Sequence, residues 1–175
     1  ITRQSAAAFL YRMAGSPEGA DPTCEEAAFP DVGTTHPFCG EIAWLVGEGI
    51  TTGYADETFK PSNPVTRQSM AAFLYRLDGS VEGEDPNCEE AQFDDVGTGH
   101  PICGEIAWME GLGITEGYED GTYRGGTAVS RQAAAAFFQR FAEPRTVSFT
   151  DFDEGGPRAA EVTDDIRIFG PGASV

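Results

Sequence analysis

Three arginines stand where a helix is expected to begin: Arg3 after Thr2, Arg67 after Thr66, and Arg131 after Ser130. Threonine and serine are strong N-cap residues, so each arginine takes the first helical position. A cation there opposes the helix dipole at a cost of about 0.3–1 kcal/mol. Making that choice three times calls for a compensating anion. Free N–H groups at a helix start, with a guanidinium beside them, form a seat for a carboxylate or a phosphate. The alternative is an internal salt bridge to a loop acid such as Asp31, Asp56 or Asp95. The sequence leaves both open. Trp44 and Trp108 are further binding candidates, since an indole stacks on a sugar ring; the competing role is packing against the loop that follows.

The cysteines offer redox or metal chemistry. Cys24 and Cys39 are separated by 15 residues, and so are Cys88 and Cys103. Matched pairs in an acidic, repetitive chain point to two disulfides. Closing a loop of this length stabilises the fold by about 3 kcal/mol. The rival is metal, because His36 and His100 stand three residues before Cys39 and Cys103. Structural zinc takes four ligands at tighter cysteine spacing, so the histidines read as helix-entry residues before Pro37 and Pro101, with no metal expected.

These residues recur because the chain repeats itself every 64 residues: Val65-Thr66-Arg67-Gln68-Ser69 echoes Ile1-Thr2-Arg3-Gln4-Ser5, and Val129-Ser130-Arg131-Gln132 follows. A fixed period of this size marks one supersecondary unit used several times. Each unit predicts two helices. The first includes Glu41 to Val46 and its counterpart from Glu105, with Ile42 and Leu45 on one stripe, and ends at Gly47 or Gly49. The second starts after the Thr66 cap and carries Met70, Phe73, Leu74 and Leu77 on one face. A turn-rich loop, Gly53 to Pro61, joins them, with Tyr54 and Phe59 expected to plug the core. Arg12, Arg76 and Arg140, on the opposite face from the first arginine set, are expected to cap helix C-termini.

The expected organisation is the second half of a unit over 1–14, a Cys-bearing connector over 15–28, a whole unit over 29–79, a second connector over 80–92, and a second whole unit over 93–143. Residues 144–175 read as a degenerate first half, because Phe149-Thr150-Asp151-Phe152 matches Phe29-Pro30-Asp31-Val32. Both cysteines are missing there together. The offset permits closure within one chain or completion between neighbouring molecules.

Composition excludes whole classes of partner. A net charge of −18, with only 11 basic residues, leaves no basic face for nucleic acid or an anionic membrane. No apolar run approaches the ~20 residues of a membrane span. No nucleophile–base pair, phosphate loop or paired-carboxylate motif stands out, so neither enzyme activity nor a cofactor is expected.

Phe29-x-Asp31-Val32, Gly49-Ile50, Gly53-Tyr54-x-Asp56-x-x-Phe59-x-Pro61 and Thr66-Arg67 together resemble the S-layer homology repeat. The resemblance covers nearly the whole chain. It implies a mainly α fold, a pseudo-threefold helical spindle of helix–loop–helix repeats. It also implies an extracellular or cell-wall location and non-covalent binding of an anionic secondary cell wall polysaccharide in grooves between repeats. The arginine of the Thr-Arg pair is then a principal ligand, which maps onto Arg67, Arg3 and Arg131. The chain departs from the family in carrying Gln68-Ser69 after Thr-Arg, Pro37 at a usual tryptophan, and the Cys-bearing excursion. Two other roles fit the residues: a self-associating subunit of an extracellular array, and the targeting segment of a larger secreted enzyme.

Overall fold

A threonine or serine cap begins each long helix. In the computed structural model, which describes residues 1–19, 22, 24–79, 86 and 88–143, the Thr2 and Thr66 hydroxyls accept from the Ser5 and Ser69 amides. Ser130 does the same for Ala133. The helices are α1 (Arg3–Met13), α2 (Cys39–Gly47), α3 (Arg67–Leu77), α4 (Cys103–Gly111) and α5 (Arg131–Ala142). The fold is mainly helical, as expected, and the only β pairing among the described residues is isolated bridges. The degenerate half-unit expected over 144–175 lies outside the described residues.

The short helices α2 and α4 begin two residues before the expected glutamates. His36 explains why: its Nδ1 accepts from the Phe38 amide at 3.2 Å, and its carbonyl accepts from the Cys39 amide at 2.9 Å. His100 repeats this with Ile102 and Cys103. At the far end Gly49 adopts φ 67°, letting the Ile50 amide turn back to the Leu45 carbonyl.

Three backbone hydrogen bonds close a ring at the start of the three long helices. The Val65 amide donates to Ile1, the Val129 amide to Val65, and the Ile1 amino group to Val129. Equivalent residues of three units therefore meet head to tail around one axis, the pseudo-threefold arrangement the family resemblance implies. Around this axis α2 packs on α1 and α4 packs on α3, so α1 and α3 each receive the short helix of the following unit. Ala6, Ala7 and Ala71 keep these contacts close, and Leu10, Ile42, Leu45, Met70, Leu74, Ile106 and Met109 fill the core.

Cysteine pairing follows the expectation. Cys24–Cys39 and Cys88–Cys103 are disulfides with Cα atoms 5.5 and 5.6 Å apart. Each pins its connector to the first turn of a short helix. Gly40 and Gly104 complete the seat: a Cβ there would fall about 2 Å from the backbone oxygen of Pro22 or Pro86. Arg76 and Arg140 donate to the Ile50 and Ile114 carbonyls, so they hold the turn after the short helix of their own unit.

Candidate inter-repeat binding grooves

The loop joining α2 to α3 is built by one carboxylate. Asp31 accepts from the Phe59 amide at 2.9 Å and the Lys60 amide at 2.7 Å, 28 and 29 residues away. Asp95 does the same for Tyr123 and Arg124 in the next unit. Burial raises the Asp95 pKa, but the N–H donors of Tyr123 and Arg124 outweigh it and leave the carboxyl below its ordinary value. Gly53 and Gly117 must be glycine, with φ 79° and 69° and the Phe29 or Phe93 ring where a Cβ would stand.

Each such loop receives the arginine of the preceding unit. Arg3, 4% exposed, donates from Nε to the Phe59 carbonyl at 2.6 Å. Its guanidinium lies 4.6 Å from the ring centroids of both Tyr54 and Phe59 and 5.6 Å from that of Phe73. Arg67, 7% exposed, donates from Nε to Tyr123 and from Nη2 to the Thr115 hydroxyl. Tyr118, Tyr123 and Phe137 surround it at 5.0, 4.5 and 5.4 Å. Burial pulls the Arg3 pKa below its ordinary value, with Tyr54 and Asp31 opposing. Cation–π attraction offsets part of the cost of taking these charges out of water.

The internal salt bridges considered for these arginines are not formed. Among the described residues the two ion pairs are Lys60–Asp56 at 2.8 Å and Arg124–Asp120 at 2.7 Å. Asp31 and Asp95 are committed to backbone amides. The bonds formed by Arg67 account for two of the five N–H groups a guanidinium carries.

Arg131 sits differently. It is exposed and lines an open groove of about 340 Å³ with Ile1, Thr2, Ser5, Phe9 and Pro64. Phe9 is the repeat equivalent of Phe73 and Phe137, the phenylalanines beside Arg3 and Arg67. It is 40% exposed, against 5% and 4% for those two. Among the described residues, the third groove thus presents the same arginine and phenylalanine with no loop placed over them.

Several expectations change. Phe59 plugs the core, but Tyr54 is 39% exposed at the groove rim, where it meets Arg3 and Lys60. Trp44 is 8% exposed and meets Tyr11 edge-on at 5.2 Å. Trp108 meets Tyr75 and Phe141. Neither indole is among the rings around the arginines. The histidines, by contrast, are the helix-entry residues the sequence predicts. Lys60 and Arg124 were not singled out by sequence, although they are among the few cations of an acidic chain and stand at equivalent positions.

The chain matches the S-layer homology domain over residues 28–71 and 92–135, half of its length. It belongs to the S-layer homology family, which places it at the cell surface. It is 29% identical to cell surface glycoprotein 1 of Acetivibrio thermocellus over 152 residues, covering 82% of this chain and 6% of that protein. Identity to the cellulosome-anchoring protein of the same organism is 27% over 147 residues, 82% of this chain and 32% of that protein. The surface layer protein of Brevibacillus choshinensis is 34% identical over 90 residues, 50% of this chain and 8% of that protein. The chain therefore spans a minor part of these relatives. None of its described helices is long and apolar enough to cross a membrane.

Proposed function

We propose that the chain is a non-catalytic anchoring module that binds an acidic cell wall polysaccharide through the grooves between its repeats. The observation that carries this reading is the pair of buried guanidiniums, Arg3 and Arg67, each ringed by aromatic groups and matched by no carboxylate ion pair among the described residues. A cation held this way costs stability unless something recovers it, and an acidic group bound in the groove would do so. Relatives named as cellulosome-anchoring and surface layer proteins support the same reading. The polysaccharide's acidic group then meets Arg3 and Arg67 between loop and helix, and Arg131 in the open groove.

Co-sedimentation with purified walls of the source bacterium tests it. Wild-type chain should pellet with intact walls and remain in solution with walls stripped of their anionic polymer. Arg67→Ala and Arg131→Ala should each weaken the binding while melting cooperatively. Equal binding to stripped walls, or no binding together with concentration-dependent polymerisation, would replace this reading with an array subunit joined at the Arg131–Phe9 groove.

A further inference from the structure

Lys60 and Arg124 hold a backbone conformation that their side chains disfavour. Both have φ 56°, in the left-handed region. At the other such angles the loops use glycine at Gly53, Gly117 and Gly121, and glutamate at Glu57, whose φ is 59°. Position 57 and its equivalent 121 switch between Glu57 and Gly121, and position 61 and its equivalent 125 between Pro61 and Gly125. Between these variable neighbours stands a cation both times. Lys60 is also the only lysine in the 175 residues.

An ion pair does not account for this choice. Lys60 and Arg124 do pair with Asp56 and Asp120, but both partners are exposed. An exposed pair of that kind contributes no more than a strained backbone costs. The placement of the charge explains more. The Lys60 ammonium lies 4.2 Å from the centroid of Tyr54, the ring that also carries Arg3 at 4.6 Å. The Arg124 guanidinium lies 4.0 Å from Tyr118, which carries Arg67 at 5.0 Å. Each groove therefore holds one deep cation and one rim cation on a single tyrosine. In a chain of net charge −18, this groups two cations at each of two equivalent places, beside the carboxylates Asp31 and Asp56 or Asp95 and Asp120.

We infer that Lys60 and Arg124 are the outer ligands of the two closed grooves, each working with the buried arginine on a ligand that carries an acidic group. This rests on the glycan-binding reading above and adds its specificity. The rim cation meets the acidic group first, exchanging the intramolecular Asp56 or Asp120 for the ligand, and the deep arginine completes the contact. A sugar residue without an acidic group gains nothing from either. The strain at φ 56° is retained because glycine, which would relax it, has no charge to offer.

Substitution by glycine separates stability from binding. Lys60→Gly/Arg124→Gly should melt above wild type, since glycine tolerates the left-handed region. In co-sedimentation with purified walls it should bind about fivefold or more weakly. Lys60→Arg should bind like wild type. Lys60→Gln/Arg124→Gln keeps a polar side chain without the charge, and gives the same reading should the glycine variant fold poorly. Binding that falls by less than this in both double variants, while wild type binds, overturns the inference and leaves the anchoring role intact. Failure of wild type to bind walls overturns both. Reductive ¹³C-methylation of Lys60 supplies a direct probe. Its resonance should move as acetate or inorganic phosphate is added to wild type, and move less in Arg3→Ala; the anion giving the larger shift identifies the acidic group. A Lys60 signal indifferent to both anions contradicts the inference.

Discussion

Arg67 and Tyr123, 56 residues apart, exchange hydrogen bonds in both directions. The arginine Nε donates to the Tyr123 carbonyl at 2.7 Å, and the Tyr123 hydroxyl donates to the Arg67 carbonyl at 3.0 Å. The first junction has only half of this, because Phe59 stands where Tyr123 does and Arg3 makes the single Nε bond. The second junction is thereby the more firmly fastened of two otherwise matching seams. Burial also raises the Tyr123 pKa well above that of a free phenol, so its hydroxyl stays a donor throughout the accessible range.

Tyr123→Phe should therefore remove one buried hydrogen bond and turn the second seam into a copy of the first. The expected loss is about 1 kcal/mol in urea denaturation, with the fold intact. An unchanged midpoint would mean that the hydroxyl bond contributes nothing.

The two glycines beneath the loops predict a sharp positional contrast. Gly53→Ala would place a Cβ 2.4 Å from Phe29 and 2.8 Å from the Thr58 carbonyl, in a residue already at φ 79°. It should destabilise by about 2 kcal/mol or more. Gly33→Ala meets nothing within 4 Å and should fall within about 0.5 kcal/mol of wild type. Thermal melts of the pair check the contrast, and equal effects would contradict it.

Reduction of the disulfides gives a third outcome. Each bond spans 15 residues, so each should account for about 3 kcal/mol of stability. Denaturation with and without reductant measures this. Intact mass without reductant should show both bonds formed; free thiols would refute the pairing.

Acid should loosen the rim. The Lys60 hydrogen bond, together with Thr58, holds the Asp56 carboxyl at about 2. Thr122 and Arg124 hold Asp120 at about 2. A folded pKa below the unfolded one, about 4, gives stability that is complete above that unfolded value. It is lost as pH falls from about 4 through about 2. Carboxylate NMR titration should find midpoints near the lower value. Midpoints at the ordinary value would mean the pairs do not persist in solution.

Much of this was legible because it is local or periodic. The Thr2, Thr66 and Ser130 caps, the stripes of Ile42, Leu45, Met70 and Leu74, and the matched cysteines each follow from spacing within one unit. What stayed hidden depends on contacts between residues far apart in sequence, within a unit or between units. Asp31 reads as a candidate salt-bridge partner of an arginine until its oxygens are found on the Phe59 and Lys60 amides. Tyr54 looks like a core aromatic because its sequence neighbours do not show that Arg3, from the preceding unit, arrives beside it. Phe9 shares its pattern with Phe73 and Phe137, and its exposure beside Arg131 cannot be read from that pattern. Position 60 carries no visible mark of a left-handed backbone, since that angle is imposed by a carboxylate 29 residues away.

The central claim is that a buried, aromatic-ringed arginine binds the acidic group of a wall glycan. The most direct test is the dissociation constant of Arg67→Ala for purified walls, measured beside its melting curve and disulfide content. Affinity should be weaker by about tenfold or more in a chain that still melts cooperatively with both disulfides formed. Unchanged affinity in such a folded variant would contradict it.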